Sequence, residues 1–264
     1  MYKYSNLITI LTSGVPQHKT WRFNESKNEF KIQEKQFAKF YEFQEIAIKD
    51  INSLYDILIE YSHEKNSCFV RGKVTDQAYN IQNRGYRIKR TTINEVDENK
   101  KTINPATIQD YPKKWLMLDI DYFEIPKGIN TFTNSGRQKA VECFINTLHE
   151  SFHNTSYVCQ FSNGMFANSK NLKAHLWFML YESYSGKILR PWFEKNCELV
   201  DKCVFRPAQL LYTANPTFIE TFDPLYNQRV NFIEKDKKEV CLPKKQIIKE
   251  YLLKNSKEKE FLWE

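Results

Sequence analysis

The sequence predicts a mixed α+β protein, because segments with strand patterns and segments with helix patterns alternate along the chain. Runs of large apolar residues with the length of buried strands occur at 116–121, 157–161 and 174–180. Apolar residues at helical spacing occur at 48–61 and 138–152. The chain has 264 residues, 41% hydrophobic and 15% aromatic, which is enough to bury the core of one large domain or of two closely packed lobes.

The N-terminal part carries weaker signals for short elements. Residues 7–11 predict a strand, and residues 68–71 predict a second one. A helix is predicted over 48–61, with Asn52 or Ser53 as its N-cap. We expect its apolar stripe to face the core: Leu54, Ile57, Leu58 and Tyr61.

The remaining elements follow from the same patterns. The polar stretch 91–110 predicts a loop before the strand at 116–121, and a second loop is predicted at 162–172. Because proline is favoured in the first turn of helices, Pro191 predicts the start of a helix that leads to a further strand. A lysine-rich helix is predicted within 235–264.

Acidic residues follow two of the predicted strands. Asp119 and Asp121 lie at i and i+2, so their side chains should project from the same face of a strand. Asp201 is predicted to lie on another strand. Neighbouring carboxylates repel each other unless they share a proton or a cation, and oxygen ligands suit Mg²⁺ or Mn²⁺. The three acids are therefore candidate metal ligands.

Basic side chains accompany these acids in the sequence order. His175 and Lys173 lie at i and i+2 in a predicted strand and should share one face. Imidazole suits hard cations less well than oxygen does, so both residues are better candidates for hydrogen-bond donors to phosphate. Arg206 and Gln209 lie just beyond Asp201, where they could contact phosphate or sugar.

The net charge of +7 permits a polyanionic partner. Between Arg71 and Arg90 basic residues greatly outnumber acidic ones, and two tyrosines are interleaved with them. Basic groups neutralise phosphates and aromatic rings stack on unpaired bases, so the stretch is a candidate surface for single-stranded nucleic acid. The candidate DNA-binding residues are Arg84, Arg87, Lys89 and Arg90. An ordinary solvated hairpin is the alternative interpretation.

Composition also excludes several classes of protein. No apolar run is long enough to cross a bilayer, and the first residues lack a signal-peptide pattern, so a soluble protein of the cytoplasm is expected. The six cysteines form no C-x-x-C pair and mostly lie among apolar residues, so neither a zinc site nor a disulfide framework is expected.

The order of these motifs resembles that of the archaeo-eukaryotic primase superfamily, in particular the primase-polymerases of plasmids, phages and other mobile elements. Those enzymes carry an Asp-x-Asp/Glu motif, a Ser…His motif and a hydrophobic-Asp motif. The matching residues are Asp119 with Asp121, then Ser162 with His175, then Asp201. The stretch 204–216 also resembles the segment that follows the third motif, and the likeness spans roughly 68–218. Many members have Ser two residues before the His, where this chain has Lys173.

The resemblance implies a fold and a reaction. It implies a catalytic core over 1–234, with an N-terminal α/β lobe at about 1–110, an RRM-like sheet at about 111–234, and the active site in the cleft between them. Residues 235–264 are then a C-terminal segment that packs on the body or links it to a further domain. The implied activity is template-dependent DNA priming and polymerisation with two Mg²⁺ or Mn²⁺ ions.

The resemblance also implies partners and residue roles. Single-stranded DNA template, primer and nucleoside triphosphates would be substrates, with a replicative helicase, in the same chain or separate, as a further partner. Asp119, Asp121 and Asp201 would be catalytic, and Ser162 would join Lys173, His175, Arg206 and Gln209 in binding the nucleotide.

Two other classes of protein share part of this pattern. Phosphatases of the haloacid dehalogenase type also use hydrophobic-Asp-x-Asp, but here Tyr122 and Phe123 follow the pair and no later Asp-Asp pair appears. A non-catalytic single-stranded nucleic-acid-binding module with an RRM-like sheet would need an exposed aromatic RNP pattern, which the sequence lacks, and would not need three acids.

Overall fold

The computed structural model, which describes residues 5–27, 29–33, 37–166, 169–225 and 228–260, confirms the mixed α+β class. The elements up to residue 110 are β1 Leu7–Thr12, β2 Thr20–Asn24, β3 Glu29–Ile32, β4 Phe40–Ala47, α1 Ile51–His63, β5 Ser67–Val70, β6 Lys73–Val74, α2 Asp76–Asn83, β7 Ile88–Lys89, β8 Glu95–Val96, β9 Thr102–Asn104 and β10 Ile108–Gln109. Those that follow are β11 Lys113–Glu124, α3 Asn134–Ile145, β12 Tyr157–Phe161, β13 Asn171–Tyr184, α4 Gly186–Asn196, β14 Thr217–Ile219, β15 Val230–Ile233 and α5 Lys244–Glu260.

The N-terminal part is built on an antiparallel sheet with strand order β5-β1-β4-β7. The helix predicted at 48–61 is α1, which lies between β4 and β5 in the chain. Its buried face includes Leu54, Leu58 and Tyr61, as predicted. Its N-cap is neither Asn52 nor Ser53 but Asp50, whose carboxylate accepts from Ser53 N–H at 2.8 Å. The Ser53 hydroxyl accepts in return from Asp50 N–H, so the two residues form a capping box.

The loop predicted at 91–110 contains short strands. β8 and β9 form an antiparallel pair, and β10 pairs with β6. These strands have two or three residues each, too few for the alternation of polar and apolar residues to be recognised in the sequence.

The second half is built on an antiparallel sheet with strand order β11-β13-β12-β15. β11, α3, β12, β13 and α4 follow one another as in the first five elements of a β-α-β-β-α-β unit. The last strand, β15, extends the sheet beside β12. On the other side, Val200 forms an isolated bridge with Ile120 of β11. This sheet carries both the acid pair and the histidine strand.

A third sheet, β14-β2-β3, lies beside a turn of the second half. The Trp21 indole N–H donates to the Asn163 backbone carbonyl at 2.9 Å. The Phe166 ring lies 5.0 Å from the Trp21 ring and stacks on Phe30 at 5.1 Å. Aromatic packing therefore fixes this small sheet against the segment that follows β12.

Helix α4 begins earlier than Pro191, which lies inside the helix. Its N-terminus is capped from outside the segment, because the Asp110 carboxylate accepts from the N–H groups of Gly186 and Lys187, both at 2.9 Å. Because Asp110 is distant in sequence, the residues around Pro191 do not indicate this cap, and the predicted start of the helix is therefore wrong.

The C-terminal segment packs on the body. Val240 forms an isolated bridge with Leu180 of β13. α5 packs against α4 through the fully buried Ile247 and through ion pairs such as Lys195–Glu250 at 2.7 Å. Residues 261–264 of the predicted C-terminal segment lie outside the described residues.

The two halves share one hydrophobic core. Phe69 of β5 contacts Trp177 of β13, and Trp177 contacts Trp115 of β11. Arg71 is buried between the halves and donates to the carbonyls of Trp115 at 2.6 Å and Tyr184 at 2.7 Å. Arg71, one of the basic residues in the stretch from Arg71 to Arg90, therefore has a structural role between the two halves. None of the helices in the described ranges is long and apolar enough to cross a membrane.

Candidate active site

A cavity of about 210 Å³ lies where the second-half sheet meets the N-terminal segment. Four of its lining residues come from the predicted motifs: Asp119, Asp121, Ser162 and His175. The structure therefore brings together residues that are up to 56 positions apart in the sequence, from Asp119 to His175. The other lining residues are Gln17, His18, Lys19, Asn163 and Tyr212.

Strand pairing places Asp119 and His175 side by side. They are direct partners in the β11–β13 register, so their side chains emerge from the same face. His175 Nε2 lies 3.5 Å from Asp119 Oδ1. On its other side His175 is paired with Gln160 of β12, and its Nδ1 lies 3.3 Å from Gln160 Oε1. The histidine therefore lies between a carboxylate and a buried amide.

Asp121 lies in a β-bulge. The β11–β13 register shifts between the pairs Ile120–Ala174 and Phe123–Leu172, so Asp121 and Tyr122 oppose the single residue Lys173. β-Bulges bend a strand locally and re-aim its side chains. Asp121 lines the cavity with Asp119, as the i, i+2 spacing predicts, whereas the Tyr122 side chain is exposed.

Asp201 does not lie on a strand as predicted. It follows the isolated bridge at Val200 and is the N-cap of a 3₁₀ helix at Lys202–Phe205. Its backbone N–H donates to the Asp119 carbonyl at 2.9 Å, and its carboxylate accepts from Cys203 N–H at 2.8 Å. The third acid is thus tied to β11 through the backbone, although it does not line the cavity.

The acids influence one another electrostatically. Burial raises the pKa of Asp119, and the negative charges of Asp121 and Asp201 raise it further. The charges of His175 and Lys19 act in the opposite direction on the pKa of this carboxyl. Each carboxylate makes ionisation of its neighbours less favourable. A bound cation would therefore stabilise the ionised form of the group.

The acids do not form a closed cage for a metal ion. Within the part of the chain described above, no group of three or more His, Cys, Asp and Glu side chains is arranged to hold a metal. Mg²⁺ commonly binds through one or two carboxylates and completes its shell with water and substrate phosphates. Asp119 and Asp121 facing an open cavity fit that mode of binding.

Ser162 begins a turn that forms one end of the cavity. Its N–H donates to the Lys173 carbonyl at 2.9 Å, and its own carbonyl accepts from the buried Arg229 at 2.9 Å. A Cβ added at Gly164 would lie 3.2 Å from Lys173 Cδ, so the Lys173 side chain runs across the backbone of this turn. Lys173 and His175 share a face of β13, as predicted.

The residues before β2, at 17–19, form a wall of the cavity that was not predicted. Lys19 is exposed at the rim. The Asn163 amide nitrogen faces the Ala214 carbonyl, and in this orientation the amide oxygen accepts from Lys19 N–H at 3.3 Å. His18 is buried and its Nε2 lies 2.9 Å from Thr217 Oγ1. These residues precede β11 by about a hundred positions. Only a tertiary contact brings them to the cavity, so no local pattern could reveal them.

Arg206 and Gln209 lie outside the cavity wall. Arg206 is exposed and is the C-cap of the 3₁₀ helix whose N-cap is Asp201. Gln209 Nε2 lies 3.4 Å from the Leu210 carbonyl. The segment that carries them pairs with β5 through Leu211 and Phe69, and it reaches the cavity at Tyr212, beyond both residues.

The candidate DNA-binding residues differ in their surroundings. Arg84 is exposed after α2, Arg87 pairs with Glu42 at 2.9 Å, and Lys89 pairs with Glu95 at 2.5 Å. Arg90 is partly buried and donates to the Ala208 carbonyl. Arg84, Arg87 and Lys89 therefore present charge to solvent, whereas Arg90 holds the 206–210 segment against the N-terminal sheet.

Comparisons with protein-family models, with curated proteins and with solved structures found no match to this chain.

Proposed function

We propose that the protein is a nucleotidyltransferase that extends or starts DNA strands on a single-stranded template, as a primase-polymerase of a mobile element, phage or plasmid. The observation that carries this proposal is the placement of three acids beside a strand with a basic-x-His pattern. Asp119 and His175 are register partners, Asp121 lines the same cavity, and Asp201 is hydrogen-bonded to the Asp119 backbone.

The acidic side of the cavity suits binding of divalent cations. Asp119 and Asp121 would hold Mg²⁺ or Mn²⁺, and Asp201 would contribute once the substrate is bound. When bound, two such ions lower the pKa of an attacking hydroxyl and neutralise charge on the leaving group. Asp119 and Asp121 lie on β11, which limits their freedom to move and would preorganise them for a cation.

The basic side of the cavity suits binding of a triphosphate. His175 lies next to Asp119. Lys173, two residues before His175 on the same strand, runs across the Ser162–Gly164 turn. Ser162 offers a hydroxyl at the same edge. Charge-assisted hydrogen bonds to phosphate are stronger than neutral ones, so a histidine and a lysine here would anchor the nucleotide. We propose that Arg206 and Gln209 lie along the path by which the substrate enters and that they do not contact the phosphates.

The template strand would run over the N-terminal part. Arg84, Arg87 and Lys89 present basic groups to solvent, and Tyr86 is exposed among them with 68% of its surface accessible. Basic and aromatic side chains in alternation suit phosphates and unpaired bases. Arg90 would support this surface by holding the adjoining segment.

The first prediction is that replacing any of the three acids by Asn abolishes nucleotide addition without unfolding the protein. Asn removes the charge and keeps the shape, and at position 201 it can still cap the 3₁₀ helix. Because a metal ion contributes several kcal/mol to such a reaction, we expect a loss of roughly 100-fold or more. The measurement is extension of primed and unprimed single-stranded DNA with nucleotides and Mg²⁺ or Mn²⁺, with products resolved by length.

The matched control is Asp56→Asn, which removes one negative charge from the exposed face of α1. This variant should extend DNA at the wild-type rate. Binding of single-stranded DNA by the wild type with no extension under any condition would overturn the proposal in favour of a non-catalytic binding module. Hydrolysis of phosphate monoesters that depends on Asp119 would favour a phosphatase.

A further inference from the structure

Gln160 of β12 is almost completely buried and has no place among the predicted site residues. Its side-chain amide joins two parts of the cavity wall. Gln160 Nε2 donates to the Thr213 carbonyl at 2.6 Å, and Gln160 Oε1 faces His175 Nδ1 at 3.3 Å. Thr213 directly follows Tyr212, which lines the cavity.

The hydrogen bond to Thr213 fixes which end of the amide faces the histidine. A carbonyl can only accept, so the nitrogen of the amide must point to Thr213 and the oxygen must point to His175. That oxygen can also only accept, so the hydrogen of the hydrogen bond must be carried by His175 Nδ1. The backbone of one segment therefore determines the hydrogen position on a side chain of another.

This chain of hydrogen bonds fixes the histidine ring for its role in the cavity. We propose that Gln160 is a positioning residue, which accepts from His175 Nδ1–H and thereby turns the other ring nitrogen, Nε2, toward Asp119 and the substrate. Nε2 lies 3.5 Å from Asp119 Oδ1, and both residues line the cavity. Residues that bind the second nitrogen of a functional histidine commonly set its tautomer and ring orientation.

Without the amide oxygen, His175 Nδ1 would lose its acceptor, and the ring would be free to rotate. Nε2 would then no longer be held toward Asp119 and the substrate, so the histidine would donate to a bound phosphate less often. The role in substrate binding depends on the proposed function, whereas the hydrogen bond between Gln160 and His175 is a property of the protein alone.

The test is NMR of the histidine rings, in which a ring N–H gives a lasting signal only when a hydrogen bond in a buried site protects it from exchange with water. Assignment of the His175 signals comes from their loss in His175→Ala. In the wild type we expect a protected Nδ1–H signal. In Gln160→Met, which keeps the length of the side chain and removes the amide, we expect this signal to be lost. A protected Nδ1–H signal that persists in Gln160→Met would overturn the proposal.

A kinetic readout accompanies the spectroscopic one. Loss of outer-shell partners of functional groups typically costs about tenfold or more in affinity, so KM for the nucleotide should rise by roughly tenfold in Gln160→Met. Affinity for single-stranded DNA should not change. If the wild type shows no nucleotide addition, the proposed function fails, while the Nδ1–H signal still decides whether Gln160 holds His175.

The matched control is Gln82→Met. The Gln82 amide also makes two hydrogen bonds, because it accepts from Phe43 N–H at 2.8 Å and donates to the Phe43 carbonyl at 3.0 Å. Its replacement removes an equal number of amide hydrogen bonds at a position that does not line the cavity, and it should lower stability to a similar degree. It should leave the His175 signals and KM unchanged. An equal change of KM in both variants would show that Gln160 acts only through stability.

Discussion

Lys19 supplies a positive charge to the cavity from the N-terminal part of the chain. It is exposed at the rim of the cavity, opposite the acid strand, and its charge lowers the pKa of Asp119 against the larger effect of burial. A cation that faces the acids from another element would contact the phosphates of a nucleotide bound between them. Lys19 thus extends the basic side of the site beyond Lys173 and His175.

We expect Lys19→Met to weaken binding of nucleoside triphosphates by about tenfold, because a hydrogen bond to a charged group contributes about 1.5 kcal/mol or more. Binding of the corresponding monophosphate should change much less, since fewer phosphate oxygens reach the rim. Titration of labelled nucleotides measures both. Arg22→Met is the control, because Arg22 is an exposed cation of β2 that does not line the cavity. Equal losses for both nucleotides would contradict this placement of Lys19.

At the residue scale, strand periodicity predicts which side chains share a face. Asp119 with Asp121, and Lys173 with His175, were recognisable because spacing of two has a fixed meaning in a strand. Gln17, His18, Lys19 and Tyr212 carried no such signal. Their position depends on how the N-terminal segment packs on the second sheet, which is set by contacts distant in sequence.

At the element scale, α4 closely approaches the 3₁₀ helix whose N-cap is the third acid. A Cβ added at Gly186 would lie 1.8 Å from the Phe205 carbonyl oxygen. Phe205 ends the 3₁₀ helix whose N-cap is Asp201. A glycine at the first position of α4 therefore allows this helix to approach the end of the 3₁₀ helix whose N-cap is Asp201.

We expect Gly186→Ala to destabilise the protein by roughly 1–3 kcal/mol, as overpacking usually does, and to reduce nucleotide addition although no cavity residue is changed. Thermal unfolding and the extension assay measure the two effects. Gly14→Ala is the control, because its added Cβ would lie 3.3 Å from Arg87 Nη1, the end of a flexible side chain. A Gly186→Ala protein with wild-type stability and activity would show that the close approach has no consequence.

Long elements with clear patterns were predictable, and their ends were not. The apolar stripe of α1 and the buried strands β11, β12 and β13 were recognised because enough residues repeat the pattern. The predicted N-cap of α1 differs from the observed one by a few residues, and α4 begins at Gly186 rather than at the predicted Pro191. In the second case the cap comes from Asp110, which lies 76 residues before Gly186. A local pattern cannot include such a partner.

At the scale of the whole molecule, Lys113 links the first strand to the acid strand. Its ammonium group donates to the Leu7 carbonyl at 2.9 Å, and its side chain is fully buried. Burial lowers the pKa of Lys113 from 10.5 to about 7, with Glu45 acting against this shift and Arg71 and Lys73 adding to it. Above pH 7 the folded state therefore binds fewer protons than the unfolded state, so stability should rise with pH up to about 10.

We expect Lys113→Met to raise the free energy of unfolding at pH 6, where the wild type buries a charge, and to lose this advantage as the pH approaches 10. The Leu7 carbonyl keeps a donor, because the Trp115 indole also binds it at 3.1 Å. A single proton changes the free energy of unfolding by at most about 1.4 kcal/mol per pH unit. Urea unfolding at several pH values measures the slope, and Lys114→Met is the control because Lys114 is partly exposed. Equal slopes for wild type and Lys113→Met would contradict the prediction.

The core shared by both halves has a consequence for the speed of substrate exchange. Rotation of the halves away from each other would expose Phe69, Trp115 and Trp177, and each large buried side chain contributes about 1.5–3 kcal/mol when it is kept from water. Wide opening of this kind would be populated only rarely. For the proposed nucleotide transfer, we therefore expect substrate and product to pass the rim at Lys19 without rotation of the halves. Domain opening would then not limit the turnover rate.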